Sequence, residues 1–198
     1  MNLAAKENDI AAMVTRIYES PKVVHYPYHN LEHTKSVVHH SKEMAVYYEL
    51  NKPDHFILAV SAWFHDIGHL YGEMKDHEAR GIGIMRQYTQ DISPEMVDVM
   101  SRCILATKFP SRPATLLEEI ICDADTYHLG TLFFRQTDVL VEKEMEMRTG
   151  KPFQDWHRKS LQFLQQHSFF TGYCRNLLDK GKQENIAWLT EQINQQSL

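Results

Sequence analysis

Three short segments hold most of the side chains in this sequence that could do metal or acid–base chemistry. The first is Tyr28-His29-Asn30-Leu31-Glu32-His33, with two imidazoles four residues apart. On a helix such a pair shares one face, roughly 6 Å apart along the axis. The second is Trp63-Phe64-His65-Asp66-Ile67-Gly68-His69, where an apolar segment from about Asp54 (Phe56, Ile57, Leu58, Val60) ends in two imidazoles and a carboxylate. A buried helix that finishes in three polar groups is costly unless something satisfies them, so other segments are expected to bring partners there. Gly68 is expected to loosen the backbone at that point. The third is Cys122-Asp123-Ala124-Asp125, which follows Ile120-Ile121. Imidazole and carboxylate together suit a divalent transition metal and leave positions for water. Such an ion lowers the pKa of a bound water enough to make a nucleophile at neutral pH. A His-Asp pair alone is a common accident. The weight lies in the three segments together.

Composition narrows the classes. The 198 residues suffice for one domain with a substantial core, and 43% apolar with 24% charged residues is ordinary for a soluble globular chain. The longest apolar run falls far short of the ~20 residues of a membrane span. Lys6, Glu7 and Asp9 interrupt any signal peptide, so a cytoplasmic protein without a membrane partner is expected. A net charge of −5 argues against a duplex nucleic-acid binder, but a small phosphorylated substrate needs only local positive charge. Cys103, Cys122 and Cys174 are odd in number and widely spaced. That suits a reducing cytosol and excludes a thiolate zinc site of the usual spacing. The 12 histidines cluster between His25 and His77, which points again to metal or acid–base chemistry.

Gly and Pro are sparse, and apolar residues recur at helical spacing almost throughout. Helices are predicted over 3–19 and from an Asn30 cap to about Leu50. A third runs from about Asp54 to the His-Asp pair, with its cap in Asn51-Lys52-Pro53-Asp54. Others run from about Asp76 to Gln90, from Ser93-Pro94 to about Ala106, and into Cys122–Asp125. Residues 70–76 and 109–113 read as loops. Three more amphipathic stretches occupy 131–148, 153–167 and 173–195, the last with Gly181 as a weak point and a polar tail at Asn194-Gln195-Gln196-Ser197. The expected fold class is all-α. A single domain spans 1–198, with a metal core at about 26–130 and accessory C-terminal helices at about 131–196.

The order His, His-Asp, Asp, all in helices, resembles the HD superfamily of metal-dependent phosphohydrolases over roughly residues 26–130. The resemblance implies an HD-type helical bundle with His33, His65, Asp66 and Asp125 as metal ligands. Asp125 is chosen because the family's Ala-Asp step falls on Ala124-Asp125, with Asp123 in reserve. The string Tyr28-His29-Asn30-x-x-His33 is similar to the signature of cyclic-nucleotide phosphodiesterases. There the first histidine is the general acid, which implies that role for His29, and His69 takes the place of a further histidine in that family's His-Asp-x-x-His string. Beyond His69 the phosphodiesterases continue with Pro-Gly, whereas Leu70-Tyr71 follows here. No match is found for their purine-selecting glutamine and aromatic clamp, so cyclic-nucleotide specificity does not carry over. Dinuclear members add histidines before the last aspartate. Here only His77 follows His69 in that interval, and Thr107-Lys108 stands where another would fall. One metal is expected (Mn, Fe, Co, Ni or Zn, with Mg tolerated), and a second through His77 or Glu78 is left open.

The resemblance thus implies hydrolysis of a nucleotide or other small phosphate ester. His29 would protonate the leaving oxygen, and Lys108, or less readily Arg80, would offset phosphoryl charge. His69 would act in catalysis or hydrogen-bond a carboxylate. Two competing readings are a di-iron oxygenase of the same superfamily and a non-catalytic metal-stabilised module that binds a nucleotide or a partner protein. His39 and His40 read as one surface and one packed residue without a metal role. Phe133-Phe134 and the Phe153/Trp156/Phe163 stripe read as core, and the Glu142–Arg148 charge run as a solvated face. The apolar C-terminal helices could form a homodimer contact.

Overall fold

The computed structural model describes residues 2–196. These form helices joined by loops and short 3-10 turns, with no strand among the described residues. Two compact units emerge, one made of the chain up to His25 with His29–Asp125, the other of Tyr26–Tyr28 with the chain from Thr126 onward.

The first unit contains α1 (Leu3–Tyr18), α2 (Leu31–Tyr47), α3 (Lys52–Phe64), α4 (His77–Tyr88), α5 (Pro94–Ala106) and α6 (Leu116–Asp125). Its centre is α3, in which every residue from Phe56 to Phe64 is buried. Helices α1, α2 and α5 all pack on it, which is why its sequence is apolar on every side. Side-chain caps set where the helices begin. Asn30 accepts from the His33 amide at 3.0 Å, and Ser93 accepts from Met96 ahead of Pro94. Asn51 accepts from the Asp54 amide at 2.9 Å, so α3 starts two residues before the predicted position, with Pro53 in its first turn. Each such cap contributes about 1 kcal/mol.

Beyond α3 the chain tightens into a 3-10 turn, Ile67–Tyr71, so the predicted loop begins only at Gly72. The role expected of Gly68 is corrected here. A Cβ on Gly68 would lie 2.0 Å from the His77 carbonyl oxygen, and one on Gly81 would lie 2.6 Å from that of Phe64. The glycines let α4 press against the 3-10 turn, bringing His77 to it. Asp76, in the left-handed region at φ 59°, turns the chain into α4 and lies outside the helix. Arg80 also departs from expectation. It donates to the carbonyls of Gly68 (3.1 Å), Lys75 (2.8 Å) and Glu73, so its guanidinium holds the 68–75 segment.

The second unit contains a 3-10 turn (Tyr127–Gly130), α7 (Phe134–Thr149), α8 (Trp156–Gln166) and α9 (Gly172–Gln196). Helix α9 packs on α8 and on the turn. It runs through Gly181 unbroken, because that glycine is a contact point: a Cβ there would sit 2.0 Å from the Gly130 oxygen. Asn185, fully buried, donates to the carbonyls of Leu129 (2.9 Å) and Thr131 (2.8 Å). The predicted polar tail is helical as far as Gln196, and Ser197 lies outside the described residues. Of the aromatic pair assigned to the core, Phe134 is buried but Phe133 is exposed.

The solvated face predicted at Glu142–Arg148 needs correction too. Glu144 is 1% exposed. Its Oε1 accepts from Arg148 Nε (2.9 Å) and Nη2 (2.7 Å), and its Oε2 accepts from the Tyr28 amide at 3.0 Å. The Arg148 guanidinium lies 3.6 Å from the centre of the Tyr26 ring. No helix among the described residues is long and apolar enough to cross a membrane.

Candidate metal centre

Three helix ends of the first unit deliver the site. His33 lies in the first turn of α2, where the Asn30 cap binds its own amide. His65 and Asp66 follow the last residue of α3, and Asp125 is the last residue of α6. The C-terminal ends of α3 and α6 carry partial negative charge, which favours a cation. His65 is fully buried, and Asp66 and His33 nearly so.

One ligand atom each from His33, His65, Asp66 and Asp125 lies within 4.8 Å of the other three. Asp66 Oδ2 is 3.1 Å from both His33 Nε2 and His65 Nε2. Asp125 Oδ1 is 3.1 Å from His33 Nε2 and 3.6 Å from His65 Nε2, and the two nitrogens are 3.4 Å apart. Ligands about 2.1 Å from one small divalent ion would stand about 3.0–3.4 Å apart, so the spacing fits. Asp66 Oδ2 is also buried without a hydrogen bond of acceptable angle despite its two near nitrogens, as expected of atoms aimed at a common point. His65 Nδ1 lies 2.8 Å from the Ala62 carbonyl, which can only accept. That bond fixes the ring and turns Nε2 toward the site.

The four side chains shift one another's proton affinities. Burial opposes charge on His65 and His33, yet the Asp66 and Asp125 carboxylates raise both, His65 well above the usual imidazole range. Burial likewise favours neutral Asp66 and Asp125, but the surrounding imidazoles hold both carboxyls below the usual carboxylate range.

Asp66 faces imidazoles on its other side as well. In a 3-10 turn residues three apart eclipse, which sets His69 over Asp66 with Nε2 3.8 Å from Oδ1. His77 Nε2 is 3.5 Å from the same oxygen, its Nδ1 held by the Met74 carbonyl at 2.9 Å. The His69 ring stacks on His77 (3.8 Å between centres) and lies 4.2 Å from His29, whose Nε2 is 4.0 Å from Asp66 Oδ2. The site therefore gathers His29, His69 and His77 around the four converging residues. Glu78 is buried with its carboxylate 3.7 Å from His77 Nδ1, the ring edge turned away from Asp66. Asp123 is fully buried and is not among the converging four. Lys108 stands outside the cluster in an exposed pair with Asp76, 3.5 Å away, beside the start of α4. His39, His40 and Glu43 also lie near one another on α2, where His40 hydrogen-bonds Glu43 at 3.1 Å.

The HD domain profile matches residues 30–130. The chain belongs to the HD-domain family. None of the curated proteins and none of the solved structures compared with it matches significantly. The superfamily consists in general of metal-dependent phosphohydrolases. The HD match takes in all four converging residues with His69, His77 and Lys108, and leaves out His29, Glu144 and Arg148. The hold of Glu144 and Arg148 on Tyr26–Tyr28 is what the reading of the sequence missed, since no spacing rule connects residues 116 apart.

Proposed function

We propose that this HD-domain protein is a metal-dependent phosphohydrolase acting on a nucleotide or other small phosphate ester. The observation that carries the reading is the convergence of His33, His65, Asp66 and Asp125 inside the HD match. A divalent metal held by these four residues would supply an activated water and polarise a phosphoryl oxygen. The Ala62 carbonyl fixes the His65 ring with its Nε2 toward the other ligand atoms. His29, on the more open edge of the cluster, gives its proton to the leaving oxygen as the P–O bond breaks and is reprotonated from solvent. His69, stacked on His77 and tilted against His29 with ring centres 4.2 Å apart, holds the acid's ring in position. Lys108 leaves its exposed pair with Asp76, worth little in water, to meet phosphoryl oxygens. A cavity of about 400 Å³ that includes Tyr71, two residues beyond His69, with Arg16 and Lys22 on its wall, suits the remainder of a small anionic substrate.

The test is metal rescue. Protein stripped with chelator is given Mn²⁺, Fe²⁺, Co²⁺, Ni²⁺, Zn²⁺ or Mg²⁺ in turn and assayed for phosphate release from nucleotides. Turnover should follow the metal and fall at least about a thousandfold in His65→Ala, which removes a ligand. Tight metal binding without turnover on any phosphate ester would overturn the proposal. A second reading is favoured by His69 and His77 facing Asp66 Oδ1, where a second cation could share that carboxylate. Two irons per chain with a charge-transfer band would then point to oxygenation.

A further inference from the structure

We propose that Arg80 is a positioning residue for the stacked His69 and His77 rings beside Asp66, acting through the backbone of residues 68–75. Its Nε donates to the Gly68 carbonyl (3.1 Å) and its Nη1 to that of Lys75 (2.8 Å), while Nη2 donates to the carbonyl of Glu73. Each acceptor adjoins one of the two imidazoles. Glu73 and Lys75 flank Met74, whose own carbonyl accepts from His77 Nδ1 at 2.9 Å. Gly68 shares its peptide group with His69, whose amide donates to the Asp66 carbonyl at 2.9 Å. One planar fork therefore ties the peptide that carries His69 to the loop that holds the His77 ring. The loop lies directly on the guanidinium at Gly72, where a Cβ would come 3.1 Å from Arg80 Nε.

The chemical consequence is a fixed tautomer. The Met74 carbonyl can only accept, so His77 keeps a proton on Nδ1 and turns Nε2 toward Asp66 Oδ1, 3.5 Å away. That bond is exposed, and water competes for both of its groups, so it lasts only as long as the loop holds the carbonyl in place. The His77 ring in turn stacks on His69 at 3.8 Å between centres, and His69 lies 4.2 Å from His29. A lysine at position 80 would keep the positive charge but could not reach three carbonyls in fixed directions. That difference separates a positioning fork from a cation that meets phosphate. The effect on catalysis rests on the reading of His29 as the acid of a phosphohydrolase, whereas the tautomer does not.

The experiment is Arg80→Lys, read first by the ring nitrogen resonances of His77 in metal-free protein at about pH 9, above the ordinary imidazole range. Wild-type protein should show the single tautomer with its proton on Nδ1, and the variant should show the averaged signals of both tautomers. With Mn²⁺ restored, kcat on adenosine 5′-monophosphate, whose leaving oxygen needs a proton, should fall about 10- to 100-fold, while KM changes less than about threefold. On p-nitrophenyl phosphate, which leaves without a proton, kcat should fall less than about threefold. An unchanged His77 tautomer in the variant, or a proton on Nε2 in the wild type, would overturn the inference. So would a raised KM with kcat intact, the sign of a cation that binds phosphate. Wild-type protein without turnover on any phosphate ester would instead refute the phosphohydrolase reading, while the His77 resonances still decide the fork. If Arg80→Lys does not fold, Gly72→Val crowds the guanidinium from the loop side, and His77 must move toward mixed tautomers or the inference fails.

Discussion

Asp66 is the side chain on which both sets of imidazoles meet, and its charge dictates how the metal-free protein responds to pH. His65 and His33 are raised, so their contribution is complete below about pH 6.5 and is lost as pH climbs through their folded values. Asp66 and Asp125 are lowered, so theirs is present above about pH 4 and is lost as pH falls through their folded values. Metal-free protein should therefore be most stable between about pH 4 and somewhat above 6.5, as thermal melts across pH will show. A cation displaces the imidazole protons, so uptake near pH 6 should release protons and affinity should rise with pH. Calorimetry in two buffers of different ionisation heat checks this, and equal heats in both would contradict it. The residues alone marked three segments rich in possible ligands, and the family resemblance, through its Ala-Asp step, singled out Asp125 beside His33, His65 and Asp66; each of the four lies at a helix end. The hold of Arg80 was not legible, since a guanidinium reaching backbone carbonyls leaves no trace in sequence periodicity.

At the level of elements, apolar periodicity and capping residues located the helices, as at Asn30 and Ser93. What they left out was decided by contact. The turn after α3 is tight because α4 lies against it, through Gly68 and Gly81. Gly68→Ala would drive a methyl group into a backbone carbonyl that cannot move aside, at a cost of about 3 kcal/mol or more. It should also displace His77. Gly83 sits in the same helix with open space around its Cα. Gly83→Ala should stabilise by about 0.4–1 kcal/mol, raising Tm by about 1–4 °C. The paired melts separate a glycine that packing demands from one it does not. Glu144 was misread for a related reason: α7 carries charges on more than one face, and only the Tyr28 amide marks which of them is inside.

For the molecule as a whole, the all-α class followed from helical spacing throughout, whereas nothing in the sequence assigned Tyr26–Tyr28 to the second unit. No change of composition marks the step from Asp125 to Thr126, and three residues upstream of the HD match join the second unit by bonds to α7. The first unit gathers its candidate ligands from positions 33, 65, 66 and 125. Metal present at about 100 times its Kd should add about 2.7 kcal/mol to its stability, and chelation should remove that amount. The spread of those positions also has a kinetic meaning. A cation on all of them staples shut chain loops of about 30 and 60 residues, and the complete set exists only once both are closed. If the cation lets go only when the loops part, nearly all of its stabilisation acts on the escape from the native state. Loaded protein should then unfold about a hundredfold more slowly than stripped protein in denaturant jumps, while refolding hardly changes. An ion that began as a reagent would thus also set how long each folded chain survives.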